Sequence, residues 1–93
     1  MDFVMAIEEI LESRGFTIPE RPYVARHDGK YNERWIESCA MYGNLPVQVK
    51  LIRHNHTVWV HCESHYVTLL SFCFTMPDLV TKEYWNLAAV LFH

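Results

Sequence analysis

The fold is decided by the segment from Pro46 to Glu63, which reads PVQVKLIRHNHTVWVHCE. Apolar side chains occupy every second position in both halves of it, at Val47, Val49 and Leu51 and then at Val58, Val60 and Cys62. Such alternation is typical of strands that bury one face. Because the two halves meet at His54-Asn55-His56, the segment predicts an antiparallel hairpin that turns near Asn55.

A third strand is predicted directly after this hairpin. The run from Tyr66 to Phe74 is rich in aromatic and β-branched residues, which favour strands. A helix is the competing interpretation, because small hydroxyl residues recur at helical spacing, at Ser64, Thr68, Ser71 and Thr75. We favour the strand, since these residue types fit a pleated surface.

Helical patterns lie on either side of these strands. From Asp2 to Arg14 apolar residues recur at helical spacing, with Asp2 as a natural N-cap and Gly15 as the stop. A second helix is predicted from Leu79 to His93, preceded by Pro77.

The segment between the first helix and the hairpin is harder to assign. Pro19 and Pro22 interrupt regular structure before a short strand, Tyr23 to Arg26. Asp28-Gly29 is then typical of a two-residue hairpin turn. The next segment, Asn32 to Tyr42, fits either a helix or a strand that continues this hairpin. Neither face of such a strand is cleanly apolar, so we favour the helix.

The resulting fold class is α+β, with residues 1–93 forming a single domain. We expect an N-terminal helix, a small antiparallel sheet of two to four strands, and an apolar C-terminal helix packed on that sheet. A chain of 93 residues has room for one core, and its apolar fraction of 51% is enough to form it.

Charge and composition exclude several classes of protein. The formal net charge is -3 and the basic residues are spread along the chain, which argues against a nucleic-acid-binding protein. No apolar run approaches the length of a membrane span, and acidic residues near the N-terminus do not fit a signal peptide. Three widely spaced cysteines are typical of free thiols, so we expect a cytoplasmic protein.

The C-terminal helix carries more apolar surface than a small sheet can cover. Between Leu79 and Phe92 apolar residues lie nearly all round the predicted helix. Either the helix is central and wrapped by the rest of the chain, or its surplus surface meets another protein or a second copy. We favour an interface, with aromatic and aliphatic anchors at Trp59, Tyr84, Trp85, Leu91 and Phe92.

Metal and catalytic sites are the competing hypotheses. The segment from His54 to His65 holds ligand types that zinc prefers, so a metal- or ligand-binding domain is the alternative, with candidate ligands His54, His56, Cys62 and His65. Hairpin geometry separates the first two from the last two, and we therefore expect no metal and no cofactor. His61 and Cys62 are neighbours on one strand and point to opposite faces, so His61 cannot activate Cys62. His65 could reach Cys62 from beyond the strand end, but Cys62 shares the core face with Val58 and Val60, and we expect a buried structural thiol.

These observations favour a non-enzymatic protein-protein interaction module. We expect a small cytosolic regulator or inhibitor that binds a host protein, of the kind that phages and mobile elements encode, and a homodimer is a further form of the same hypothesis. The partner itself is not specified by any motif in the chain.

Overall fold

The computed structural model describes residues 3–20, 22–75 and 78–92 of the chain. Two helices flank six strands in sequence order. The elements are α1 (Phe3–Ser13), β1 (Phe16–Thr17), β2 (Val24–Asp28), β3 (Glu33–Tyr42), β4 (Leu45–His54), β5 (Thr57–Ser64), β6 (Val67–Thr75) and α2 (Asp78–Leu91).

The strands form one curled antiparallel sheet, a half-barrel in shape. From β3 to β6 each strand pairs with the next along the chain. The short strands β1 and β2 both pair with β3 and lie end to end along its other side. The β4–β5 hairpin turns at Asn55-His56, because His54 pairs with Thr57, which confirms the predicted turn.

The predicted fold class is wrong, because the molecule is mostly sheet. The expected α+β domain had a sheet of only two to four strands, whereas six are present. The main error is the helix predicted for Asn32 to Tyr42, most of which is β3. That strand is held on both sides, by β4 and by β1 and β2, so its pairing outweighs its helical spacing.

The other local predictions have mixed outcomes. The strand predicted from Tyr66 to Phe74 is confirmed as β6, and a short strand is confirmed at β2. The two-residue turn at Asp28-Gly29 is wrong, because Asp28 pairs with Glu33 and four residues form the turn. The Asp28 carboxylate accepts a hydrogen bond of 2.7 Å from the Lys30 backbone N–H, which stabilises this longer turn.

Both predicted helices are present with slightly different limits. The chain leaves α1 through Gly15 at a φ of 93°, a left-handed conformation that glycine adopts readily. Asp2, Pro77 and His93, which were part of the helix predictions, lie outside the described residues. Neither helix, as far as the structure describes it, is long and apolar enough to cross a membrane.

The core lies on one face of the sheet, under the two helices. Every second residue of the central strands is buried there, including Ile36, Leu51 and Val60, each at most 1% exposed. Ile7 of α1 and Tyr84 of α2 pack against this face. The Tyr84 hydroxyl donates a hydrogen bond of 3.3 Å to the Leu51 carbonyl, which fixes α2 over β4. We call this the core face and its opposite the outer face.

Candidate protein-binding surfaces

The strand β6 forms one edge of the sheet, and nothing in the described part of the chain pairs with its free side. It is nine residues long, reads VTLLSFCFT, and contains neither a charged residue nor a proline. Its pairing with β5 is interrupted once, where Leu70 pairs with Cys62 but Thr68 pairs with Glu63. Leu69 is thus a bulge, and the regular edge extends from Leu70 to Thr75. We call these six residues the β6 edge.

The two faces of the β6 edge differ in burial. Leu70, Phe72 and Phe74 lie on the core face and are half-buried. The rings of Phe72 and Phe74 meet edge to face with centroids 5.3 Å apart. Ser71, Cys73 and Thr75 are exposed. An added strand would therefore extend the core on one face and meet small side chains on the other.

A two-residue turn, His65-Tyr66, leads into β6. Both residues have positive φ, 49° and 66°, the combination found in type I′ hairpin turns. Such turns favour asparagine and glycine, and a bulky aromatic residue is strained there. The Tyr66 side chain is nevertheless 99% exposed, so it gains nothing from the core in return. An aromatic side chain thus projects into solvent beside the start of β6.

An apolar row on the outer face adjoins the β6 edge. Ile52, Trp59 and Cys73 are paired across β4, β5 and β6. Trp59 is 43% exposed, a high value for so large an apolar side chain. Together with Tyr66, it provides exposed aromatic surface close to the β6 edge.

Beside this row, the outer face carries a group of paired charged side chains. The Lys50 ammonium lies 2.6 Å from a Glu63 carboxylate oxygen, and His61 Nε2 lies 3.3 Å from the other. The hydrogen bond from Lys50 lowers the pKa of Glu63, and the charges of Lys50 and His61 add to this effect against the opposing effect of burial. These groups satisfy one another, so this part of the face is an ordinary solvated surface.

The five predicted interface residues do not form one surface. Trp59 lies on the outer face, whereas the others belong to the C-terminal helical segment over the core face. Trp85 is 52% exposed, but Tyr84 is only 4% exposed and is part of the core. Leu91 and Phe92 are half-buried and pack against the core. Of the five, only Trp59 and Trp85 present large exposed surfaces.

A cavity of about 570 Å³ opens between α2 and the ends of β3 and β4. Two arginines line it, and each stacks on an aromatic ring. The Arg53 guanidinium lies 4.1 Å from the centre of the Trp85 ring, and that of Arg34 lies 5.6 Å from the centre of the Phe92 ring. Burial raises the pKa of Tyr84, which also lines the cavity, and the Arg53 charge opposes that shift.

The four residues of the alternative metal site stay apart. His54 and His56 lie at the β4–β5 turn, whereas Cys62 and His65 lie at the other end of β5. Among the residues that the structure describes, no three histidine, cysteine or acidic side chains gather as a metal site would require. Burial raises the pKa of Cys62 to about 11, so its thiol is a poor ligand and a poor nucleophile.

Several surface residues were not singled out from the sequence. They are Tyr66, Cys73, Arg34 and Arg53, which lie at the edge or in the cavity. The absence of charged residues from Val67 to Thr75 could have indicated an edge strand that is not protected against pairing with another chain. The two arginines left no such signal, because they lie 19 positions apart in the sequence and come to one cavity only in the folded structure.

Comparisons with known protein families, characterised proteins and solved structures find no match to this chain.

Proposed function

We propose that this chain is a non-enzymatic protein-interaction module, a small cytosolic regulator or inhibitor that binds a host protein through the β6 edge. The observation that carries the proposal is the uncharged free side of this strand. Free N–H and C=O groups along an edge accept an extended segment of another chain as a further strand. Main-chain hydrogen bonds supply affinity in this mode, and neighbouring side chains supply specificity.

The side chains beside the β6 edge define the kind of segment that fits. On the core face, Phe72 and Phe74 favour apolar residues at alternate positions of the partner strand. On the outer face, the small side chain of Cys73 leaves room for a large side chain of the partner beside Trp59. Tyr66 adds an aromatic contact near one end. We therefore expect a partner segment that is extended, uncharged and apolar on at least one face.

The cytosolic assignment within this proposal is supported by the cysteines. Cys39, Cys62 and Cys73 are all free thiols, as expected in a reducing compartment. Phages and mobile elements use small domains without catalytic motifs to block host proteins. We assign the chain to that class as part of the same proposal.

A homodimer is the second candidate, and the composition of the β6 edge favours it. Antiparallel pairing of two identical strands about a two-fold axis keeps each side chain on its own face of the sheet. With the axis at Cys73, Phe72 of one copy faces Phe74 of the other, and no like charges meet. The two half-barrels would then share one continuous sheet.

Native mass spectrometry of the purified protein tests the homodimer directly. A lysine in an edge strand is a natural defence against strand addition. We expect Cys73→Lys to abolish a dimer, because it places a charge in the middle of the β6 edge. Val24→Lys is the matched control, since Val24 is exposed in β2 at the opposite side of the sheet. A dimer that persists in Cys73→Lys excludes pairing through this edge.

Site-specific photo-crosslinking tests for the host partner. A photoreactive residue at position 71, on the β6 edge, is compared with one at position 24 in cells that express the protein. A partner that crosslinks only from position 71 is then purified and titrated with the wild type and with Cys73→Lys. We expect at least about a tenfold loss of affinity from the lysine. Equal affinity, or equal crosslinking from both positions, would contradict the proposal.

A further inference from the structure

The cavity between α2 and the β3–β4 strands collects basic side chains. Among the residues that the structure describes, Arg34, Arg53 and His54 line it, against one acidic side chain, Glu33. Neither arginine forms a salt bridge with any residue that the structure describes. The Nε atom of Arg53 is buried and has no hydrogen-bond partner among those residues. A buried donor of this kind is costly to leave unsatisfied, so a missing acceptor is the physical explanation to seek.

The ends of β3 and β4 bring the two arginines to one cavity. The pairing of β3 with β4 ends at Ile36 and Leu51, and Arg34 and Arg53 each lie two residues beyond that pair. His27, which pairs with Arg34, extends the same basic row. Like charges that converge on one site repel each other. An anion between the two guanidinium groups would turn this repulsion into attraction.

We infer that this cavity binds a small organic anion, with its carboxylate or phosphate group held between Arg34 and Arg53. The planar guanidinium forks match the oxygens of such groups and form charge-assisted hydrogen bonds with them. The Arg53 Nε atom is buried, so a ligand oxygen would reach this unpaired donor only after the side chain shifts. This site is separate from the β6 edge and does not depend on the proposed protein-binding function.

The walls of the cavity indicate that the anion carries an apolar or aromatic body. Trp85, Ala88 and Phe92 line the side formed by α2 and the residue after it. The volume of about 570 Å³ is in the range of small-molecule sites and exceeds what a bare inorganic ion fills. Apolar walls with a few convergent polar groups are the usual composition of such sites.

Isothermal titration calorimetry with phenyl phosphate and with inorganic phosphate tests the site. We expect saturable binding of phenyl phosphate at one site per chain, and weaker binding of inorganic phosphate, which lacks the ring. Arg34→Gln and Arg53→Gln should each lower the affinity for phenyl phosphate by at least about tenfold, since each removes a charged hydrogen-bond donor. Arg26→Gln, on the outer face, should leave the affinity unchanged.

Thermal unfolding with and without phenyl phosphate gives a second readout. Saturating phenyl phosphate should raise the melting temperature of the wild type and of Arg26→Gln, and should raise that of Arg34→Gln much less, because a ligand stabilises only the folded state that binds it. If Arg53→Gln fails to fold, Arg53→Lys is the alternative variant, because it keeps the positive charge but loses the planar guanidinium group. It should still lower the affinity for phenyl phosphate. The inference is overturned if phenyl phosphate binding does not saturate, if Arg26→Gln weakens that binding as much as Arg34→Gln does, or if phenyl phosphate raises the melting temperatures of the wild type and of Arg34→Gln equally.

Discussion

The two edges of the sheet are built in opposite ways. On one side, β1 and β2 are short, and the five residues of β2 include Arg26, His27 and Asp28. On the other side, β6 extends for nine residues without a charge. Short and charged edge strands are the usual protection against pairing with another chain. One edge of this protein is thus protected, whereas the other, as far as the structure describes it, is interrupted only by the bulge at Leu69 near its start.

The edges also differ in what they give the core. The strand β6 contributes Leu70, Phe72 and Phe74 to the core face, whereas β2 contributes the small Ala25. The strand that is open to a partner is therefore also the one that is better anchored by burial. An edge that is firmly held and unprotected is suited to receive a strand, because the receiving strand pays little ordering entropy.

Cysteine reactivity gives the largest expected difference between an edge and the interior. Cys73 is exposed on β6, whereas the neighbouring Cys62 of β5 is buried and its pKa is raised to about 11. At pH 8 only about one Cys62 side chain in a thousand is then thiolate, the reactive form. We expect iodoacetamide to label Cys73 at least about a hundredfold faster than Cys62, followed by mass spectrometry of the peptides.

Denaturation provides the control for this experiment. In urea all three cysteines should react at similar rates, because burial no longer protects any of them. Equal labelling of Cys62 and Cys73 in the native protein would show that β5 and β6 separate easily. The strand β6 would then be too weakly held to β5 to serve as a stable edge for an added strand.

Truncation of an inward side chain at each edge sharpens the comparison of anchoring. Phe72→Ala should lower the free energy of unfolding by about 2 kcal/mol, less than for a fully buried phenylalanine because Phe72 is half-buried. Ala25→Gly in β2 should cost only about 0.5–1 kcal/mol, mainly through backbone entropy. Urea unfolding measures both, and a larger cost at Ala25 would reverse the assignment of the better anchored edge.

The turns that lead to the two edges differ in backbone strain. Tyr66 precedes β6 with a φ of 66°, and Asn32 lies in the β2–β3 turn with a φ of 55°. Asparagine tolerates this region, whereas other non-glycine residues lose roughly 1–2 kcal/mol there. Tyr66→Gly should therefore stabilise the protein by about 1 kcal/mol, and Asn32→Gly should change its stability by a few tenths at most.

The same variant separates stability from binding. If Tyr66 contacts a partner, Tyr66→Gly will raise the melting temperature and lower the affinity for that partner. If Tyr66→Gly is more stable than the wild type and binds the partner equally tightly, the exposed Tyr66 ring contributes neither to stability nor to binding.

How far the fold could be predicted depended on the contrast between the two faces of each strand. In β4 and β5 buried valines alternate with polar residues, so the hairpin and its turn were predicted correctly. In β3 the buried face carries the small residues Ser38 and Ala40, and the other face carries Trp35. Because Ile36 also lies on the buried face and Glu37 on the other, neither face is cleanly apolar, and this weak contrast concealed a strand that pairs on both sides. Pairing partners of this kind are tertiary information.

The candidate surfaces could be predicted from the sequence only in part, for a similar reason. Aromatic content pointed to Trp59 and Trp85, which are indeed exposed, but also to Tyr84, which is in the core. Helical periodicity could not tell them apart, because α2 is apolar on several sides and its orientation is set by a hydrogen bond to Leu51. The β6 edge required the strand order, since no strand is an edge until its neighbours are known.

The smallest expected effect concerns pH and the ion pairs between the edges. Lys50 of β4 and Glu63 of β5 join the two central strands, and Lys50 lowers the pKa of Glu63 in the folded state. The stabilisation is therefore present above the unfolded pKa, about 4.3, and is lost as the pH falls through the lower folded value. Urea unfolding from pH 6 downward should show stability falling below about pH 5, and less steeply in Glu63→Gln. An identical slope in the variant would mean that other carboxylates control acid unfolding, and that the scaffold between the two edges owes its stability to burial alone.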